Sequence, residues 1–178
     1  MEKEEKLHGT IGRDNIVVED FELAQELNGS GFGDKEGKKL VLSYCEGLYL
    51  CNVNKLDVFG RKGVLSFDQL METIYSKDKN ILTKFLVYRD LRSRGFVVKD
   101  GFGFGVDFRV YERGQYEDKI AKYVVFVLNE GSDVVVEKVF DDIMDIKKMG
   151  KETIAAVVDR RGELVYYKLS EAIVSAKK

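Results

Sequence analysis

With 29 basic against 31 acidic residues in 178, the chain lacks the cationic excess that marks nonspecific nucleic-acid binding, so a role on RNA would need a local patch. Its composition, 44% hydrophobic and 34% charged, is that of a globular domain or two small ones, with more charge than the usual about 25%. No apolar run nears the roughly 20 residues that span a membrane. The first ten residues, MEKEEKLHGT, are charged where a signal sequence is apolar. Cytoplasmic location and no membrane contact are the expectation.

The charge is uneven. Residues 1–80 hold 11 basic and 15 acidic residues, and residues 81–178 hold 18 and 16. Cys45 and Cys51 are the two cysteines. Six residues of helix rise about 9 Å, too far for a bridge, so two buried thiols in a reducing compartment are expected. Proline and tryptophan are absent.

In chain order, residues 7–19 suggest two short strands around a Gly-Arg-Asp-Asn turn. Residues 20–27 suit a short helix, and 28–38 a polar glycine-rich loop. Residues 39–58 place Val41, Leu42, Cys45, Leu48, Tyr49 and Leu56 at helical spacing, with Ser43 and Glu46 at capping-box spacing early in the run. Residues 60–65 form a basic turn. Ser66 with Gln69 caps a further helix, whose inner face is Phe67, Leu70, Met71 and Ile74. The stretch 81–94 predicts a strong helix with Leu82, Phe85, Leu86, Tyr88 and Leu91 as its apolar set, closed by Gly95.

Strands dominate thereafter: 96–99, 106–111, 122–129, 134–139, 154–159 and 164–169, interrupted by a helix-like piece at 141–149. The fold class is therefore α/β (α+β). A small N-terminal α/β domain over residues 1–80 is expected before a mixed-sheet domain over 81–178.

Several chemistries are disfavoured. Gly101, Gly103 and Gly105 alternate with Phe102 and Phe104 ahead of a strand, which is not a dinucleotide fingerprint, and turn glycines are the simpler reading. One histidine, His8, and two apolar-flanked cysteines fall short of a zinc set. They also lack the context for histidine-assisted nucleophilic catalysis. Asp141, Asp142 and Asp145 could bind magnesium but read better as a solvated helix face. Lys84, Arg89, Arg92, Arg94 and Lys99 could follow phosphates or simply keep a helix soluble, and Arg160 and Arg161 carry the same two readings.

One block carries more. FLVYRDLRSRGFVVKDGFGFGVDFRVYERG at 85–114 resembles the core of the archaeal tRNA-splicing endonucleases. The similarity continues through YVVFVLNEGSD at 123–133 and KETIAAVVDRRGELVYYKLS at 151–170. It is looser at LSYCEGLYLCNVNKLDV, 42–58, and LSFDQL, 65–70. The resemblance implies an N-terminal α/β domain and a C-terminal nuclease domain. It also implies cleavage of precursor tRNA at bulge-helix-bulge motifs, without cofactor or metal. In that reaction the ribose 2′-hydroxyl attacks, leaving a 2′,3′-cyclic phosphate and a 5′-hydroxyl.

The family performs this step with a tyrosine, a histidine and a lysine. One group takes a proton, one gives a proton, and a cation steadies the phosphorane. On this resemblance the tyrosine falls on Tyr111 and the lysine on Lys151. The histidine position falls on Ile120, and its neighbours Lys119 and Ala121 are not histidine either. Isoleucine moves no proton.

Three readings follow. The chain is a non-catalytic structural subunit that pairs with a catalytic paralogue as a dimer of heterodimers. Or it is an active enzyme with Lys119 or Lys122 as a displaced acid, which needs desolvation to lower a lysine pKa. Or it is an RNA-binding module without cleavage. RNA contacts are expected at Arg89, Arg92, Arg94 and Arg109. The resemblance further implies an acidic docking loop at 129–133 presenting Glu130 and Asp133, and a subunit-pairing edge strand with Val165, Tyr166 and Tyr167.

Overall fold

The computed structural model describes residues 6–103, 105–112, 114, 116, 120–131, 143 and 145–170. The predicted strand at 134–139, together with Asp141 and Asp142, lies outside these residues. The chain divides into two compact units, residues 1–97 and 98–178. Both are mixed α+β.

The first unit contains a six-stranded sheet. β1 (Leu7–Ile11) and β2 (Ile16–Val18) form the expected antiparallel pair around residues 12–15, closed by Gly12 N–H donating to the Asn15 carbonyl at 2.8 Å. α1 (Phe21–Gly29) starts at Asp20, whose carboxylate accepts from the amides of Glu22 and Leu23, the usual way to satisfy orphan helix amides. The polar loop at 28–38 hides a short exposed strand, β3 (Asp34–Glu36), paired with β4 (Lys39–Leu42).

The single helix expected over 39–58 is corrected. Residues 39–42 are strand β4, α2 spans only Tyr44–Asn52, and β5 takes Leu56–Gly60. In β4, Leu40 and Leu42 are buried while Lys39 points outward and Val41 is half-buried, which is a period of two. Four residues are too few to separate that period from a helical one. Ser43, with ψ of 164°, marks the switch, and its reciprocal box with Glu46 begins α2. At the other end Asn54 takes a left-handed φ of 63°. Its amide donates to Cys51 and that of Lys55 to Leu50, the paired carbonyl capture of a Schellman ending.

A two-stranded hairpin continues β5 into β6 (Gly63–Val64) across the basic turn. The sheet order is β3-β4-β2-β1-β5-β6, with β1 and β5 parallel. α3 (Phe67–Tyr75) has the Ser66–Gln69 box and buries Leu70 and Ile74. α4 (Ile81–Ser93) ends on Gly95 at φ 90°, with Gly95 and Phe96 amides donating to Arg92 and Leu91. Its apolar set differs from the expectation at two places: Leu82 is half-exposed, while Val87 is fully buried. α2 packs on β4, β5, α3 and α4.

Glu46 does more than cap. Its carboxylate is buried and accepts from the amides of Ser43 and Gly33, at 2.8 and 3.0 Å, tying the glycine-rich segment to α2. Cys45 and Cys51 are not joined in a disulfide; Cys45 is buried, but Cys51 is only half-buried. The Cys51 thiol is pushed up to about 11 by burial and then by Asp57, so it is a poor nucleophile at neutral pH.

The second unit is a five-stranded sheet in the order β11-β10-β9-β8-β7. Its strands are β7 (Val97–Gly103), β8 (Val106–Tyr111), β9 (Tyr123–Asn129), β10 (Glu152–Val158) and β11 (Leu164–Leu169). β9 and β10 are parallel, β8–β9 and β10–β11 antiparallel. A Cβ on Gly101 would sit 1.8 Å from the Val106 carbonyl oxygen, so only glycine fits where β7 turns back. Residues 145–148 are helical, and Ile146 is buried with Val106, Val124 and Phe126.

Removing the Glu46 carboxylate strands two buried amides. Glu46→Ala is therefore expected to lower stability by about 2–3 kcal/mol in urea denaturation; a loss under about 0.5 kcal/mol, the usual scatter of surface changes, would show the amides find other partners.

Candidate functional site

The candidate site lies where β8 ends and β9 and β10 begin. Tyr111 closes β8 and is only 4% exposed, with Tyr116 edge-on to its ring at 5.2 Å. Pairing carries the chain from there into the next strand: Lys122 N–H donates to the Val110 carbonyl at 3.0 Å, and Glu152 N–H to the Lys122 carbonyl at 3.0 Å. Lys151, just before β10, donates from Nζ to the Ala121 carbonyl at 3.0 Å. Tyr111, residues 120–122 and Lys151 are thus at one end of one sheet. Ile120 is 71% exposed there, an apolar side chain in water. Lys119 lies outside the described residues.

Lys122 is held by Glu112, just past Tyr111. Their ion pair is joined by the Tyr123 hydroxyl, which donates to Glu112 Oε1 at 3.3 Å. The hydrogen bond from Lys122 pulls the Glu112 carboxyl below its ordinary range. Hydrogen bonds to Glu112, then Tyr123, hold the Lys122 ammonium above the ordinary lysine range. That direction is opposite to the desolvation-lowered lysine that a displaced acid would need. Lys122 is a fixed cation near neutral pH. Glu112 and Tyr116 were not among the residues expected here. No sequence pattern relates a glutamate to a lysine ten positions later across intervening turns.

The arginines expected on RNA are placed as follows. In the first unit, Arg92 lies 3.8 Å over the Phe32 ring and donates to the carbonyls of Ser30 and Phe96. Arg94 grips Asp90 through two nitrogens. Arg89 is exposed, with its guanidinium 5.7 Å from the Phe85 ring centre. In the second unit, Arg109 Nε donates to the Asp100 carbonyl at 2.8 Å. Lys84 pairs with Asp78, and Lys99 is buried. Much of the basic surface of α4 is thus engaged within the unit.

Of the docking residues, Glu130 turns onto the β10–β11 hairpin, where its carboxylate accepts from the Arg160 amide at 3.4 Å. Asp133 lies outside the described residues. Val165 and Tyr167 are exposed on β11, the outermost strand of its sheet, and Tyr166 is half-buried. Asp145 is paired with Lys148, and among the described residues no cluster of three or more potential ligands could hold a metal. No described helix is long and apolar enough to cross a membrane.

The family model for the tRNA intron endonuclease catalytic C-terminal domain matches residues 81–166, and that for the N-terminal domain of the same family matches residues 7–71. The chain belongs to the tRNA intron endonuclease family. Relatives named tRNA-splicing endonuclease agree. That of Methanococcus vannielii is 33% identical over 160 residues, covering 89% of this chain and 90% of the relative. That of Pyrococcus furiosus is 34% identical over 161 residues, covering 89% and 92%. That of Thermococcus kodakarensis is 36% identical over 138 residues, covering 78% and 81%. The family match spans both halves of this endonuclease-family chain. Its C-terminal segment begins with α4, which by contacts stands with the first unit.

The Glu112–Lys122 pair has a pH signature. Glu112 is lowered, so its contribution to stability is present above the unfolded glutamate pKa and is lost as pH falls through its lowered folded value. Lys122 is raised, so its contribution is present below the unfolded lysine pKa and is lost as pH rises through its raised value. An NMR titration should find Glu112 ionising below ordinary glutamates. Lys122→Met should move it back up toward the ordinary glutamate range, and an unchanged midpoint in that variant would exclude the ion pair as the cause.

Proposed function

We propose that this chain is the non-catalytic, structural subunit of a heterotetrameric tRNA-splicing endonuclease. With a catalytic paralogue it forms a dimer of heterodimers in the cytoplasm and excises introns from precursor tRNA at bulge-helix-bulge motifs. The observation that carries this reading is the exposed Ile120. It stands beside the Tyr111–Lys151 end of the sheet, at the position where the family resemblance calls for histidine. A tyrosine and a lysine can bind and polarise a phosphate. The missing group is the one whose unperturbed pKa suits proton transfer near neutrality.

Two features support a role in assembly. Among the described residues β11 is the outermost strand of its sheet, with exposed Val165 and Tyr167, a position suited to strand addition by another chain. Glu130, just past β9, and Asp133 three residues on in the sequence supply acidic groups that would select a basic partner surface. The alternative of an active enzyme using Lys122 is disfavoured by the Glu112 pair, which strengthens the lysine's hold on its proton.

The decisive assay incubates a bulge-helix-bulge RNA with the purified chain alone, then with a histidine-containing family member, in the presence of a chelator. No cleavage alone and cleavage in the mixture is the expected result. Cleavage by the chain alone would overturn the structural reading. A positioned proton-transfer group contributes about 10²–10⁴-fold, so Ile120→His should raise the chain's own cleavage by up to that factor. Activity already equal to this in the unmodified chain would identify another acid.

A further inference from the structure

The basic turn at 60–65 is unused by the functions above. β5 and β6 pair at Phe59–Val64 and Gly60–Gly63, leaving Arg61 and Lys62 as a two-residue tip. Two-residue hairpins usually need left-handed φ at the tip itself. Here neither tip residue has it; Gly63 takes the unusual step at φ 121°. Arg61 and Lys62 therefore keep ordinary backbone, and the Leu65 N–H to Val58 carbonyl bond at 2.8 Å extends the hairpin behind them.

Their charges are not neutralised locally. Both side chains are exposed, and neither makes an ion pair among the described residues. By contrast Lys39, Lys84, Arg94, Lys122, Lys148 and Lys168 each hold a carboxylate. Residues 58–67 contain no aspartate or glutamate. Asp57, just before, is taken by Lys6 at 3.2 Å. The exposed Asp68 in α3 is the next acid along the chain. β6 is the outermost strand of its sheet, and a Cβ on Gly63 would meet nothing within 4 Å. The tip is thus open to a large polyanion. Exposed His8, edge-on to Phe59 at 5.2 Å, adds an imidazole close to the base of the hairpin.

We propose that Arg61 and Lys62 form a phosphate-contact point for the precursor tRNA on the N-terminal unit, separate from the β8–β10 site. This rests on the proposed function for its choice of RNA. An unneutralised pair of cations on an open tip suits a chain of phosphates. The small apolar area beside it, chiefly Val64 at 52% exposure, is poor as the core of a protein interface.

The test measures affinity of the full chain, mixed with a histidine-containing family member, for an intron-containing precursor tRNA transcript at several salt concentrations. Each phosphate-bound cation contributes about one to the salt slope. The Arg61→Ala/Lys62→Ala double variant should bind at least several-fold more weakly, with a slope shallower by about 2. Arg61→Lys/Lys62→Arg, which keeps both charges, should bind as the unmodified chain does. Equal affinity and slope in the alanine variant, with unmodified chain binding RNA, would overturn this inference alone. A variant that no longer assembles, by mass, would mark the tip as a protein contact and overturn it too. No RNA binding by the unmodified complex would sink the functional reading and this inference together.

Discussion

The parallel pairing of β9 with β10 is the constraint on which the candidate site depends. Antiparallel neighbours would put the start of one strand beside the end of the other. A parallel pair puts both starts together, so Tyr123 faces Glu152 in register. The residue before each strand then meets the other: Lys151 reaches the Ala121 carbonyl, and Glu152 N–H reaches Lys122. β8, running antiparallel to β9, delivers its last residue, Tyr111, to the same end. Three separate segments thereby share one corner. At this corner Ile120 is exposed, whereas Tyr111 is buried.

Electrostatics at that corner separates binding from proton transfer. Lys151 spends a donor on a carbonyl and Lys122 is pinned by Glu112, so cations are present in quantity. A cation attracts a phosphate whatever its pKa, provided it stays charged. Proton transfer asks for a group that changes charge near the working pH. Pairing Lys122 with a carboxylate drives it further from that condition. Ile120, exposed at the same corner, carries no titratable group. The corner thus gathers cations suited to an anion, while the Glu112 pair holds Lys122 away from the condition of a general acid.

The first unit is organised by its helix ends. Asp20, Ser43 and Ser66 each satisfy orphan amides, and Gly31, Asn54 and Gly95 each take left-handed backbone to end a helix. Glu46 and Arg92 extend these caps into tertiary ties. Glu46 joins the α2 start to Gly33, and Arg92 joins α4 to the carbonyl of Ser30 at the end of α1. Glu46 holding two amides is worth more than an exposed ion pair, because the alternative is unsatisfied buried donors, while the Arg92 guanidinium supplies donors to two carbonyls at helix ends. This also explains why α4 is rich in arginine without presenting a uniformly free basic face.

The sequence by itself determined what short-range chemistry decides. The Ser43–Glu46 and Ser66–Gln69 caps, the Gly95 stop and the alternating runs that became β8 and β11 depend on residues within a few positions of one another. The family motifs around Tyr111 and Lys151 were legible for the same reason. Only the tertiary structure decided the rest. Leu40 and Leu42 could have lain on a helix or a strand, and pairing with β2 and β3 settled it. Arg92 could have faced solvent, but Phe32 and two carbonyls lay within reach. Lys122 could have been a lowered lysine; strand register brought it Glu112 instead. In each case the deciding partner comes from another element, and the sequence records that partner's identity without its distance.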